Sequence, residues 1–237
     1  SAESRTKSIE DLLHGASELT ALLNFDTESL HIRTVSASLA KDGSGDFFTV
    51  QEAINAAPDY CKQAATTIFI KDGVYKEKVT VPANKWKLHL IGQSAENTII
   101  SWDDYAKKIG PTGHEMGTSA TSTVFLYGDD FLAENLTIEN TAGEGKDIAQ
   151  ACAITVDADR VAFINCRFLA NQDTIYTYGK GQRQYFKGCW IEGTTDFIFG
   201  ASTCWFEDCT ILSKKDSYVT AASTPEGAEF GYVFNKC

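Results

Sequence analysis

A short pattern of β-forming residues recurs along the second half of the chain, and it restricts the fold more than any other feature. Each copy has an apolar pair, a polar turn residue, then Leu or Cys, one variable residue, and Ile, Phe or a similar residue. The copies occupy residues 131–138, 161–168, 184–191, 204–211 and 231–237. Their Leu or Cys markers are 30, 23, 20 and 28 residues apart. Repeats of this length, with β patterning and no helical period, predict a solenoid, because one coil cannot bury its apolar face without a neighbour.

Four of the seven cysteines fall on the marker position of this repeat: Cys166, Cys189, Cys209 and Cys237. We expect the solenoid to stack them in one inward column, as small buried hydrophobes. A disulfide or a metal role is the alternative interpretation. A ladder of strands does not usually offer disulfide geometry. The sequence also has no CxxC pair and no histidine at zinc-ligand spacing. The odd count leaves at least one thiol free.

Residues 1–34 differ from the rest of the chain and are predicted to form an N-terminal helical extension. Ser8 and Asp11 have the spacing of a helix cap, and apolar residues continue a helical stripe as far as Leu23. A remnant that precedes the domain is the alternative. Residues 35–237 are predicted to form the solenoid domain, because short β-forming runs are broken there by Gly, Asn and Asp. One short amphipathic helix interrupts this domain at residues 49–58.

Composition and charge argue against several classes of function. The chain is 43% hydrophobic and 22% charged, which is typical of a globular domain with one large core. No run of 18 apolar residues occurs, so we predict no membrane span. A net charge of -11 argues against nucleic acid, and it offers no electrostatic trap for a polyanion. An acidic substrate should therefore bind as a largely neutralised stretch, for example as esters. No signal peptide is visible at Ser1, which indicates a mature or trimmed chain.

Three polar residues recur with the period of the coils. Gln150, Asp173 and Asp196 are separated by 23 residues each. Equivalent residues of adjacent coils in a parallel β-helix lie about 4.8 Å apart, so we expect the two aspartates to be neighbours, with Gln150 one coil away. Like charges raise one pKa of such a pair, which suits one acid and one nucleophile. The amides of Gln150 and Gln172 could donate to a developing oxyanion. A solvated or calcium-binding ladder is the alternative.

Aromatic residues surround these carboxylates in the sequence. Tyr176, Tyr178, Phe197 and Phe199 follow Asp173 and Asp196 within a few positions. Rings of this kind suit stacking on sugar faces. We predict that Tyr176, Phe197 and Phe199 bind a carbohydrate substrate.

Five segments of the chain strongly resemble the pectin methylesterase (pectinesterase) family. They occupy residues 39–54, 128–143, 172–176, 183–186 and 193–200. The resemblance extends over roughly residues 38–237 of the chain. Its most specific motif is Gly-Thr-Thr-Asp-Phe-Ile-Phe-Gly at 193–200, whereas the first segment supports only the fold and the order of elements.

The resemblance implies an all-β right-handed parallel β-helix that hydrolyses methyl esters of galacturonate in pectin, with no metal and no cofactor. On the matching motifs, the nucleophile falls on Asp196 and the general acid/base on Asp173. The oxyanion glutamines fall on Gln150 and Gln172, and the aromatic residue near the scissile ester falls on Phe199. The substrate class implies a secreted, periplasmic or cell-wall location. We expect a monomer whose partner is methylated homogalacturonan.

The family pattern also includes a Leu-Gly-Arg-Pro-Trp-like motif, which would follow the last repeat and is not present in these residues. The resemblance implies that its arginine pairs with the nucleophilic aspartate. Two explanations remain open: the sequence is a fragment of a longer enzyme, or the protein is short and weakly active. The second explanation leads to another class of function, a pectin-binding solenoid without turnover. A different β-helix enzyme, such as a pectate lyase or a polygalacturonase, is a third possibility.

Overall fold

The computed structural model describes residues 35–61 and 64–237, and within them three sheets wind around one core. Strands are numbered in chain order. Sheet I has eight strands: β1 (Val35–Leu39), β2 (Thr66–Ile70), β5 (Leu88–Gly92), β8 (Leu132–Glu134), β11 (Val161–Ile164), β14 (Arg183–Lys187), β17 (Thr203–Glu207) and β20 (Tyr232–Asn235). Sheet II has six: β4 (Val79–Val81), β7 (Val124–Leu126), β10 (Ile154–Val156), β13 (Ile175–Thr177), β16 (Ile198–Gly200) and β19 (Thr220–Ala222). Sheet III has six: β3 (Gly73–Lys76), β6 (Thr98–Trp102), β9 (Thr137–Asn140), β12 (Arg167–Leu169), β15 (Trp190–Gly193) and β18 (Thr210–Ser213).

From β2 onward, successive strands belong to sheets I, III and II in turn, and neighbouring strands within each sheet pair in parallel. From β2 to β19 each coil therefore contributes one strand to every sheet and stacks on the coil before it, whereas β1 and β20 each add a strand to sheet I. This arrangement is a parallel β-helix, so the prediction of an all-β solenoid is confirmed.

The polar turn residue of the repeat has a physical role at the corner between sheets I and III. Equivalent positions adopt left-handed backbone angles, with φ between 50° and 60°, at Asn135, Asn165, Gly188, Asp208 and Lys236. Asn, Asp and Gly tolerate this conformation better than other residues. The corner lets each marker residue that follows turn inward.

The core is a stack of side chains that repeats from coil to coil. Phe163 stacks on Phe186 with ring centroids 5.0 Å apart, and Phe186 stacks on Phe206 at 4.7 Å. Cys166 and Cys189 are buried beside them and remain free thiols. The interpretation of the marker cysteines as buried hydrophobes is confirmed for Cys166, Cys189 and Cys209, and it is wrong for Cys237, which is exposed.

The predicted short helix is present as α1 (Val50–Ala56). A capping box between Thr49 and Glu52 begins it, and the Glu77 carboxylate accepts from the first two helical amides. Lys85 donates to the carbonyl of Ala57 at the other end, where a cation suits the helix dipole. A 3₁₀ turn spans Thr118–Ala120. The predicted N-terminal helical extension lies outside the described residues.

Candidate active site

Asp173 and Asp196 stand at the same position of neighbouring coils. Each lies two residues before the first residue of a strand of sheet II, and these two strands pair Ile175 with Ile198. The backbone amide of Asp173 donates to the carbonyl of Thr195 at 3.1 Å, which continues that register to the aspartates. Strand spacing places the two residues about 4.8 Å apart along the solenoid. The structure therefore brings the two predicted carboxylates together.

Both aspartates adopt a left-handed backbone conformation, with φ of 66° at Asp173 and 48° at Asp196. For a residue other than glycine this conformation costs roughly 1–2 kcal/mol. The following coil holds Asp196 in place, because the backbone amide of Asp196 donates to the carbonyl of Tyr218 at 2.7 Å. The same unusual angle at both positions, rather than at one, indicates that the coils are built to present this pair.

The Asp173 carboxyl is poised to hold or release a proton near neutral pH. Its side chain is buried, with 8% of the residue exposed. Burial is the larger cause that raises its pKa to about 7, the charge of Asp196 adds to the rise, and hydrogen bonding with Gln172 opposes it. Asp196 is half-buried, so the two chemically identical groups occupy different surroundings. An acid and a carboxylate with separate roles follow from that difference.

The predicted register of Gln150 is wrong. Its spacing of 23 residues from Asp173 would place it directly beside that aspartate. The strands β10 and β13 instead pair Ile154 with Ile175, an offset of 21 residues.

A bulge before strand β10 adds one residue to this offset. The amide of Ala153 and the next amide both donate to the carbonyl of Thr174, at 2.9 and 3.3 Å. Further back, the amide of Ala151 donates to the carbonyl of Gln172 at 3.2 Å. Gln150 therefore lies alongside Gln172 in the next coil. The two glutamines form a pair of their own next to the pair of aspartates, and together they can offer two side-chain amides to one oxygen.

Cys152 was not expected at this site. Its thiol is fully buried, at 0% exposure, and lies close enough to Asp173 for that charge to act on it. Burial, chiefly, raises the pKa of the thiol to about 12, so it stays neutral at physiological pH. Cys152 is therefore a buried, uncharged neighbour of Asp173. The repeat in the sequence gives no signal for it, because Cys152 is not one of the marker residues.

The aromatic residues divide into exposed and buried ones. Tyr176 and Phe199 are paired in register on the outer face of sheet II, with ring centroids 4.2 Å apart and planes 12° apart. Tyr178 packs edge-on against Tyr176 at 5.2 Å and is 52% exposed. Phe197, which was predicted to bind substrate, is 0% exposed and belongs to the core. This prediction is corrected, since a fully buried ring cannot contact a sugar.

The arginines nearest to these motifs in sequence are committed to other partners. Arg183 pairs with Asp159 at 2.5 Å, and Arg160 pairs with Asp130 at 2.5 Å. Among residues 35–61 and 64–237, no arginine forms an ion pair with Asp173 or Asp196. The same residues contain no group of three His, Cys, Asp or Glu side chains that could hold a metal ion, and no helix long and apolar enough to cross a membrane.

Neighbouring aspartates, neighbouring glutamines and stacked rings on the outside of three parallel sheets define a protein of the parallel β-helix class. The sequence model of the Pectinesterase family matches residues 36–237. The chain belongs to the pectinesterase family.

Named relatives agree with this assignment. Pectinesterase 31 of Arabidopsis thaliana is 44% identical over 209 residues, which cover 84% of this chain and 63% of that protein. Pectin methylesterase from carrot superposes with a TM-score of 0.76 at 36% identity, over 86% of this chain and 62% of the other. A pectin methylesterase solved in complex with a hexasaccharide has a TM-score of 0.75 at 33% identity, over 84% and 64%. The chain thus spans somewhat less than two thirds of these relatives. The predicted right-handed parallel β-helix is confirmed by these neighbours.

Proposed function

We propose that this protein hydrolyses the methyl esters of galacturonate residues in pectin, releasing methanol and de-esterified pectin. The observation that carries the proposal is the register of Asp173 and Asp196 in adjacent coils, with the pKa of Asp173 raised to about 7. Family membership supports the same chemistry, and so does a relative that was solved with a hexasaccharide.

In the first step, a carboxylate oxygen of Asp196 attacks the ester carbonyl carbon and forms a tetrahedral intermediate. The side-chain amides of Gln150 and Gln172 donate to the oxyanion that develops on the former carbonyl oxygen. When the carbon–methoxy bond breaks, Asp173 gives its proton to the departing oxygen, and methanol leaves. The galacturonate carbonyl remains joined to Asp196 as an acyl-enzyme.

In the second step, the Asp173 carboxylate takes a proton from a water molecule as that water attacks the acyl carbon. The bond to Asp196 breaks and returns the nucleophile as a carboxylate. The product is a free galacturonate carboxyl group, and Asp173 again carries its proton. One ester and one water are consumed, and one acid and one methanol are formed, so the cycle closes without a cofactor.

Burial suits Asp173 to this double role. A carboxylic acid with a pKa near the working pH can both donate and accept a proton at low cost. Because pectin is a polysaccharide of the cell wall, we infer that the protein acts after export, at the cell wall or in a periplasm.

One observation favours a second candidate function, pectin binding without turnover. In the described part of the chain Asp196 forms no ion pair with an arginine, lysine or histidine. The aromatic face of sheet II would still bind the polysaccharide. Binding of esterified pectin with no methanol release would favour this alternative.

Methanol release from highly esterified pectin tests the main proposal. We expect release by the unaltered chain and a loss of about a thousandfold in kcat for Asp196→Ala. Asp208→Asn is a suitable control, because Asp208 is an exposed residue of the corner between sheets I and III. An Asp196→Ala variant that remains as active as its parent would overturn the nucleophile assignment.

A further inference from the structure

The outer face of sheet II carries a second group of side chains, displaced from the carboxylate pair. Phe125, Thr155 and Tyr176 lie side by side on strands β7, β10 and β13. The hydrogen bonds continue the same register two residues further along. The amide of Asp157 donates to the carbonyl of Leu126 at 2.8 Å, and the amide of Tyr178 donates to the carbonyl of Val156 at 2.9 Å. Tyr127, Asp157 and Tyr178 therefore form a second row parallel to the first.

These six residues form a trough with aromatic walls. Phe125 and Tyr127 make one wall, with ring centroids 6.4 Å apart and planes 15° apart. Tyr176 makes the other wall, two strands away, which is roughly 9–10 Å. Tyr178 packs edge-on against this wall, with ring planes 78° apart. Tyr127 is 37% exposed and Tyr178 is 52% exposed, so the trough is open to solvent. Its width leaves space for one pyranose ring between the walls.

The floor of the trough consists of short polar side chains. Thr155 is buried, and its hydroxyl is hydrogen-bonded to the hydroxyl of Ser122 at 2.7 Å. Asp157 accepts from the Nε2 of Gln182 at 2.9 Å. Gln182 packs tightly against Gly179, where a Cβ would lie 1.8 Å from its Oε1. The carboxylate on the floor is therefore held in place.

The trough has a negative field. Within the described ranges, Asp157 has no cationic partner in an ion pair. Burial, and then the charge of Asp157, raise the pKa of the Tyr127 phenol, so the charge of Asp157 acts on this ring. Lys78 lies 5.4 Å from the centre of the Phe125 ring, but its ammonium pairs with Asp104 at 2.6 Å and donates to the carbonyl of Ala120 at 2.6 Å. Its charge is therefore already compensated.

We propose that this trough is a subsite that selects a methyl-esterified, uncharged galacturonate unit of the pectin chain and rejects a free-acid unit. The aromatic walls stack on the sugar faces, and the Asp157 carboxylate accepts hydrogen bonds from sugar hydroxyls. The same carboxylate repels a galacturonate that has lost its methyl group. This inference rests on the proposed function, because it takes pectin as the ligand.

The subsite is continuous with the candidate active site. Tyr176 belongs to both, since it stacks on Phe199 and also forms a wall of the trough. Asp157 is equivalent in register to Tyr178, which follows Asp173 by five residues, so the two positions lie at most roughly 16 Å apart along the chain direction. One polymer can therefore occupy both, with the selected unit a few sugars from the scissile ester. The protein would then favour stretches in which that distant unit is still esterified.

Equilibrium binding tests the subsite without requiring turnover. The parent is the Asp196→Asn chain, and the probes are fully methyl-esterified and fully de-esterified oligogalacturonates of equal length. We expect the parent to prefer the ester. Adding Asp157→Asn should strengthen binding of the free acid about fivefold and change binding of the ester less than about twofold, because only a charge is removed. Adding Phe125→Ala with Tyr127→Ala should weaken binding of the ester about tenfold.

Two matched controls separate these effects from general damage. Phe69→Ala removes an exposed ring from a strand of sheet I, and Asp208→Asn removes an exposed charge from a corner. Both should leave the two dissociation constants unchanged. An unchanged ratio of acid to ester affinity in Asp157→Asn, or parental ester affinity in the double alanine variant, would overturn the subsite. Methanol release by the chain with Asp196 intact is measured separately, and its absence would overturn the proposed function while the binding ratios still decide on the subsite.

Discussion

Asp196 stands opposite Asp173 in the next coil of sheet II, and after burial its charge is the second cause that raises the pKa of the Asp173 carboxyl to about 7. Asp196→Asn removes this charge and keeps the shape of the side chain. We therefore expect the pKa of Asp173 to fall, while burial keeps it above 3.8. Titration of the labelled Asp173 carboxyl carbon by NMR measures this directly. A pKa that does not move in the variant would show that the two groups do not interact.

The raised pKa also makes a prediction about stability. Asp173 binds its proton more tightly in the folded protein, with a pKa of about 7, than at the ordinary value of 3.8. Its contribution to stability is therefore fully present below pH 3.8 and is lost as the pH rises through 7. At higher pH the buried carboxylate costs on the order of 4 kcal/mol.

Asp173→Asn replaces this group by a neutral side chain of the same shape. The free energy of unfolding, measured in urea, should rise in the variant at pH 8 and change little at pH 4. The control Asp208→Asn alters an exposed corner residue and should show no such dependence on pH. Equal stability of Asp173→Asn and its parent at pH 8 would mean that the carboxylate is not costly to bury.

The two glutamines should be distinguishable by their pH dependence. Leucine in place of either removes a donor to the oxyanion, and a loss of about 100-fold in kcat with little change in KM is expected. Gln172 also opposes the rise in the pKa of Asp173, whereas Gln150 is not among the causes of that rise. In Gln172→Leu the alkaline fall of kcat/KM should therefore move to higher pH, and in Gln150→Leu it should stay in place.

The alkaline fall of kcat/KM depends on the pKa of the general acid in the free enzyme. Asp173 must be protonated to release methanol, so kcat/KM should decline about tenfold for each pH unit above 7. Identical pH profiles for the two leucine variants would contradict the different surroundings of the two amides. Methanol release across pH 5 to 9 provides the measurement.

Most of the solenoid was predictable because the same types of side chain recur at the same positions of each coil. The left-handed corner favours Asn, Asp or Gly, and the marker that follows is Leu or Cys, as at Cys166 and Cys189. The pairing of Asp173 with Asp196 followed from the same period. The resemblance to a family then assigned roles that spacing alone left open.

The errors came from backbone geometry that leaves no mark on composition. The offset between β10 and β13 is 21 residues and a bulge before β10 raises it to 22, so Gln150 lies beside Gln172 although its spacing from Asp173 equals that between the aspartates. A bulge is decided by local hydrogen bonding, so a count of residues cannot detect it. The left-handed angle at Asp196 likewise interrupts the alternation of strand side chains and sends Phe197 into the core.

Phe197 and Phe199 allow this last point to be tested, because they differ in environment and not in chemistry. Phe197 is fully buried in the core, whereas Phe199 stacks on Tyr176 at the outer face. Phe197→Ala should lower the free energy of unfolding by about 3–5 kcal/mol, since it leaves a cavity. Phe199→Ala should change stability by less than about 1.5 kcal/mol and raise KM for pectin several-fold, as one stacking partner is lost. Urea unfolding and methanol release on both variants, with Phe69→Ala as an exposed-ring control, would separate the two roles. A Phe197→Ala protein of parental stability with weakened pectin binding would restore that residue to the substrate groove.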